Sequence, residues 1–157
     1  MERTIIGFHE DDVGDWVAEL SCLHNQHVRH QPPFLERPWV LSEAGRTTHV
    51  GAIIDCPLCD RAELPDDLEV ARTAGPFDAA SVPPALLKEH QVVEPTWGDL
   101  RVLQGSVKFT MATNPPLERR LVNGEHQPIP PGIKHRLVLE GAVTLAIDFR
   151  VRRDLGP

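Results

Sequence analysis

The sequence predicts a mainly β chain in two unequal units, and three observations lead to that expectation. Fifteen prolines and no tyrosine among 157 residues mark a chain rich in turns and strands, not a helical bundle. From about residue 65 onward, short apolar runs alternate with turn residues at the spacing of a β-sandwich or barrel. All three cysteines lie before residue 63, so the composition shifts there. The units are therefore residues 1–62 and 63–157, with the short acidic stretch 63–67 as linker.

The overall balance excludes several function classes. A net charge of −7 argues against nonspecific binding to nucleic acid or to an anionic membrane surface. No apolar run approaches a membrane-spanning length. The first twelve residues carry early acids and no signal-peptide core. An odd cysteine count with no mark of secretion reads as a reducing cytoplasm, with the thiols as ligands and not as a disulfide framework. The expected partner is a small molecule, with no nucleic acid and no membrane.

In the first unit, residues 5–8 and 16–20 read as two strands, and Asp11, Asp12 and Gly14 form the turn of a hairpin. Residues 37–41 read as an apolar extended segment. Ser42 is placed to N-cap a short helix ending near Gly51. About sixty residues with few large apolar groups make a poor core, so the unit calls for a staple. Cys22-Leu-His24 and Cys56-Pro-Leu-Cys59 supply one, as a Cys-x-His pair facing a Cys-Pro-x-Cys pair in a tetrahedral Zn²⁺ set. His27 and His30 are alternatives to His24, while His9 and His49 are assigned to solvated faces. The competing reading is that Cys56 and Cys59 are small buried residues. RING domains pair the same two half-motifs on one zinc. The ligands of a second such site are missing, so ubiquitin-ligase function is not implied.

In the second unit, strands are expected at 69–73, 86–93, 100–103, 107–111, 121–122, 136–139 and 143–149. Residues 76–84 read as an irregular or short helical arm. Gln104-Gly105 reads as a tight turn, and Glu140-Gly141 as the turn of a closing hairpin. Lys88 and His90 fall on the second of these strands. Val143, Leu145, Ile147 and Phe149 share one face of the last strand, which leaves Thr144, Ala146 and Asp148 on the other.

Gly124 to His135 spells a Gly, five residues, a Pro, one residue, a Gly, two residues and a His. Gly124 and Gly132 permit the positive φ that turns need, and Pro128, Pro130 and Pro131 stiffen the connection. This spacing resembles the second motif of the cupins, double-stranded β-helix barrels that usually hold one metal ion. The ordered set His90, Trp97-Gly98, Leu103-Gln104-Gly105, Pro130-Pro131, His135 and Ile147-Asp148-Phe149 resembles the YeaR/TehB-like cupin family over residues 65–152. The first cupin motif is degraded here. His90, Glu94 and Gly105 fit it, and the Glu before the glycine is missing.

The resemblance implies His90, His135 and Asp148 as ligands of a divalent ion (Zn, Fe, Mn or Ni). Trp97, Lys88 and Arg72 are candidate pocket residues, with ordinary packing and solvated charge as the alternative. The parity of the last strand keeps a surface or hydrogen-bonded Asp148 open as the alternative. Members of the family occur alone or fused to a tellurite-resistance methyltransferase. No methyltransferase fingerprint is present in this sequence. Residues 22–33 also resemble the Cys-x-His-x-Gln-His-Val-Arg-His-x-Pro-Pro core of a small bacterial domain found fused to this cupin.

The leading expectation is a zinc module joined to a metal-binding cupin for a small, anionic ligand. The resemblance implies a stress role in oxyanion or nitrogen-oxide handling, and analogy with cupins implies a homodimer. A non-haem oxygenase or metal-dependent isomerase using His90 and His135 is the second reading. A metal-free cupin whose zinc module contacts a partner or acts as a sensor is the third.

Overall fold

A computed structural model of the chain describes residues 1–28 and 37–153, and the chain divides into compact units at residues 1–57 and 58–157. The expectation for His30 lies outside the described residues. In the first unit, β1 (Glu2–Glu10), β2 (Trp16–Leu20), β3 (Asn25–His27) and β4 (Ile53–Asp55) form an antiparallel sheet in the order β3-β2-β1-β4. The β1–β2 turn is pinned by Asp11, whose Oδ1 accepts from the Val13 and Asp15 amides at 3.0 and 2.9 Å. Those backbone donors, Asp15 first, hold its carboxyl below the usual aspartate range.

Residues 38–41 form a 3₁₀ turn, Pro38–Leu41, in place of the expected extended segment. Proline at the start of the turn supplies the right φ and lacks only an amide that would be unpaired there. The helix α1 (Glu43–His49) follows, with Ser42 Oγ accepting from the Gly45 amide at 3.1 Å as a true N-cap. His49 departs from the solvated face assigned to it. Its ring stacks on Trp39 at 3.6 Å, and Arg46 of the same helix lies 3.5 Å over the Trp16 ring. Among the described residues, the buried apolar set besides the cysteines is aliphatic and small, comprising Ile5, Val17, Ala18, Leu20, Leu23, Val28 and Val40.

A one-turn helix, α2 (Pro57–Asp60), spans the boundary, and the second unit continues as β5 (Leu68–Asp78), β6 (Trp97–Met111), β7 (Leu117–Val122), β8 (His126–Ile129) and β9 (His135–Arg152). The sheet runs β5-β9-β6-β7, with β8 added on β6. Two expected turns are bulges inside long strands. Gly105 has φ of 77° and Gly141 has φ of 119°. Pairing steps there from Gly105↔Val143 to Val107↔Leu139, so β6 and β9 bend together without separating. A side chain at Gly105 would bring its Cβ within 2.2 Å of the Ala142 carbonyl oxygen. The bend wraps the sheet around one core, in which Leu100, Val107, Phe109, Leu121, Leu137 and Leu145 are buried.

The strand expected at 86–93 is replaced by a 3₁₀ turn, Pro84–Leu87, and an irregular path. Two prolines fix φ for the turn and withhold ladder donors. That path still makes one bridge. His90 and His135 exchange both backbone N–H···O=C bonds, at 3.0 and 2.9 Å. Among the described residues, no helix is long and apolar enough to cross a membrane.

Candidate functional site

Two groups of potential ligands are assembled from chain segments far apart in sequence. The first joins the turn after β2 to the residues around α2. The β2 turn is tight, because the Leu20 carbonyl accepts from the Leu23 amide at 2.8 Å and the Leu20 amide donates to His24 O at 3.0 Å. Leu23 takes φ of 70°, a left-handed conformation that a leucine rarely adopts. The donor residues Cys22 and His24 stand on either side of it. Cys56 and Cys59 come from the entry and the third residue of α2.

The four donor atoms of Cys22, His24, Cys56 and Cys59 all lie within 4.8 Å of one another, and all four residues are buried. The spacing can be tested against coordination geometry. Zn–S and Zn–N bonds at tetrahedral angles imply edges of roughly 3.8 Å for S···S and 3.6 Å for S···N. Cys22 Sγ and Cys56 Sγ are 3.9 Å apart, and His24 Nδ1 lies 3.5 and 3.4 Å from them. The donor set thus fits a four-coordinate ion through Nδ1 of His24.

Electrostatics agrees with this fit. Burial disfavours an imidazolium at His24, but the hydrogen bonds and charges of Cys22 and Cys56 outweigh burial and lift its pKa from 6.5 to about 9. The cluster draws positive charge to its centre. His27, the alternative ligand, is instead 3.4 Å from Asp15, and His9 bonds Glu19 at 2.7 Å.

The second group is the His90–His135 pair, whose rings sit 4.2 Å apart at 58°. Each Nδ1 is matched to a backbone carbonyl two residues earlier. His90 pairs with Lys88 O at 2.9 Å and His135 with Ile133 O at 2.8 Å. Nδ1–H therefore donates in both rings, and the Nε2 lone pairs are left as acceptors or ligands, the arrangement that orients metal-binding histidines. Burial, only partly opposed by the Ile133 carbonyl and reinforced by His90, lowers the His135 pKa to about 4. The inner space beside the rings, lined by Leu100, Ile129, Leu137 and Ile147, holds only about 10 Å³. Outside the pair, a groove of about 680 Å³ opens past His135, with Lys88, Glu89, Thr110, Lys134 and Arg136 on its walls.

Asp148 is corrected as a ligand of this pair. Ile147 faces the inner space, so Asp148 projects from the other face of β9. There Arg101 Nε lies 2.9 Å from its Oδ2 and Thr73 Oγ1 donates to its Oδ1 at 2.6 Å. Among the described residues, the Cys22–His24–Cys56–Cys59 cluster alone brings three or more potential metal ligands together. Of the three expected pocket residues, Lys88 lines the groove, Trp97 is fully buried, and Arg72 lies 4.4 Å over the Phe149 ring. Lys134 and Arg136 escaped the sequence reading, although the run Lys-His-Arg at 134–136 brackets the inward His135 with two outward cations.

Two family models match the chain. One, described as a protein of unknown function (DUF3565), covers residues 6–63, and the other, a TehB-like domain, covers residues 72–147. No curated protein matches it. Among solved structures, TehB from Haemophilus influenzae is similar at 22% identity and a TM-score of 0.50, over 55% of this chain and 32% of that one. A protein from E. coli strain K12 is similar at 19% identity and a TM-score of 0.50, over 57% of this chain and 96% of that one. This chain thus spans about a third of the TehB chain's length, and the likeness is one of fold.

Proposed function

We propose that the chain is a two-part metal-binding protein, with a structural zinc module near its N-terminus and a cupin-type domain that binds a small ligand beside His90 and His135. The observation that carries the first half is a buried cluster of three thiols and one imidazole within 4.8 Å of one another, in which the Cys22, His24 and Cys56 donors stand at tetrahedral edge lengths. Sulfur-rich, closed, four-donor sets favour Zn²⁺ and leave no position for a reacting molecule, so the role is structural. The matched domain at 72–147 and the Gly124–His135 spacing support the cupin half. Two imidazoles with matched tautomers fit a divalent ion that keeps open positions for water or ligand. With only two protein donors, it would be held far more weakly than the zinc. A role in oxyanion or nitrogen-oxide handling rests on family resemblance.

Elemental analysis of the full chain tests both halves. One zinc per chain should survive dialysis against a mild chelator, and cobalt in its place should show the intense thiolate-to-metal absorption of a sulfur-rich tetrahedral site. A second equivalent should bind and wash out, and His135→Ala should abolish it alone. A chain that folds without metal and gives cobalt no thiolate band would refute the zinc module.

A further inference from the structure

The β domain pairs its cations almost completely. Arg101, Arg119, Arg120, Arg150, Arg152 and Arg153 each meet a carboxylate, as do Lys108 and Lys134. Arg72, Lys88 and Arg136 meet none among the described residues. Arg72 lies over the Phe149 ring instead. The other two line the same groove, the one that opens past His135.

We infer that this groove is a binding site for a small molecule with a doubly charged oxyanion head of the phosphate class. Three cations, Lys88, Lys134 and Arg136, stand on its walls against one carboxylate, Glu89, in a chain whose net charge is −7. The carboxylate is already engaged, since Lys134 Nζ holds Glu89 Oε1 at 3.0 Å. Arg136 is oriented too. Its Nε donates to Thr110 Oγ1 at 3.3 Å, while its terminal nitrogens have no partner among the described residues. An exposed guanidinium tethered by this one bond leaves its planar edge open to two oxygens of one head group, and a lysine adds a mobile point charge. The volume, about 680 Å³, lies within the range of small-molecule sites. A single negative charge would leave one of the two unpaired cations without a partner, which favours a dianion over a carboxylate.

The inference rests on reading the β domain as a ligand-binding domain, and it needs no metal at the imidazole pair. Its test is titration of the nitrogen-labelled full chain with inorganic phosphate at neutral pH and constant ionic strength, followed by amide chemical shifts. Saturable shifts should appear at residues 88–89, 110–112 and 134–136. The double variant K88Q/R136Q should weaken them about tenfold or more. R72Q, which removes the third unpaired cation away from the groove, should not. Metal content measured on the same samples should match wild type, which separates loss of the anion from loss of either metal. Shifts that do not saturate, an equal loss in R72Q, or acetate binding as tightly as phosphate would each overturn the assignment.

Discussion

The N-terminal segment and the β domain bury different chemistry, and the contrast shows what each is held by. Around Phe109, the β domain collects Leu100, Val107 and Met111 of β6, Leu121 of β7, and Leu137 and Leu145 of β9 into one apolar cluster. The N-terminal segment buries only a few aliphatic side chains and, beside them, four metal-ligating residues. Apolar burial scales with area, while ordering a residue costs about 1–2 kcal/mol of backbone entropy. A segment of this size with so few large groups has little surplus. Its thiols and imidazole would be costly to bury without a cation. The same four residues that weaken the core as an apolar cluster would strengthen it as a coordination shell once a cation is bound.

The sharpest way to break this contrast is Cys56→Ser. Zinc-finger sites contribute on the order of 10 kcal/mol of apparent folding energy, more than so small a core supplies. The variant should lose its tightly held zinc, and the amides of β1 to β4 should lose hydrogen-exchange protection. Those of β6 and β9 should keep theirs. Protection retained in β1 to β4 without zinc would mean that the segment is held by packing after all.

The mirror-image experiment is Phe109→Ala. Phe109 is fully buried at the centre of the apolar cluster, and truncations of this kind cost about 3–5 kcal/mol. Urea midpoints read on β6, β7 and β9 signals should fall accordingly. One zinc per chain and the cobalt absorption band should be unchanged. A loss of zinc equal to the loss in the sheet would show that the two regions do not differ in what holds them.

The two regions also differed in how much of them the sequence disclosed. The thiol set was legible because each half is local, Cys-x-His on one turn and Cys-Pro-x-Cys on another, and because thiolate and imidazole have few other joint uses. The choice of His24 was read from the Cys-x-His spacing, but what excludes His27 was not legible. It depends on Asp15, which lies across the hairpin and holds His27. In the β domain, strand membership was readable from alternation, but strand continuity was not. Gly105 and Gly141 look the same in sequence whether their positive φ serves a hairpin or a bulge. For Asp148, parity left the ligand and surface readings open, and it is the cross-strand partners Arg101 and Thr73 that decide against the ligand. The groove was hidden because its signal is a lack of counter-charge, and partners such as Asp99 for Arg150 or Asp148 for Arg101 are set by cross-strand register. The pairing of His90 with His135 was read from family resemblance. Local propensity favoured a strand through residues 86–93 that the structure does not form.

The two buried histidines carry the contrast into pH dependence, with a smaller effect than either substitution. His24 sits among thiols that draw a proton to it, so its pKa rises to about 9. In metal-free protein its contribution to stability is present below pH 6.5 and is lost as the pH rises through 9, and zinc binding must expel that proton. His135 is the reverse case. Burial first, then the neighbouring His90, outweighs the Ile133 carbonyl and lowers its pKa from 6.5 to about 4. The unfolded chain therefore takes up this proton near pH 6.5, whereas the folded domain takes it only near pH 4. Stability from this group is complete above 6.5, falls as the pH drops from 6.5 to 4, and levels off below. At 1.4 kcal/mol per unit the loss amounts to roughly 3 kcal/mol. Urea midpoints of β9 amide signals, measured with one zinc per chain and the imidazole pair left free, should follow this slope. His135→Gln, which cannot titrate, should flatten it even if it starts from a lower plateau. An unchanged slope in that variant would mean that other groups govern the acid limb, and the β domain would then lose its claim to exclude charge where the thiol cluster gathers it.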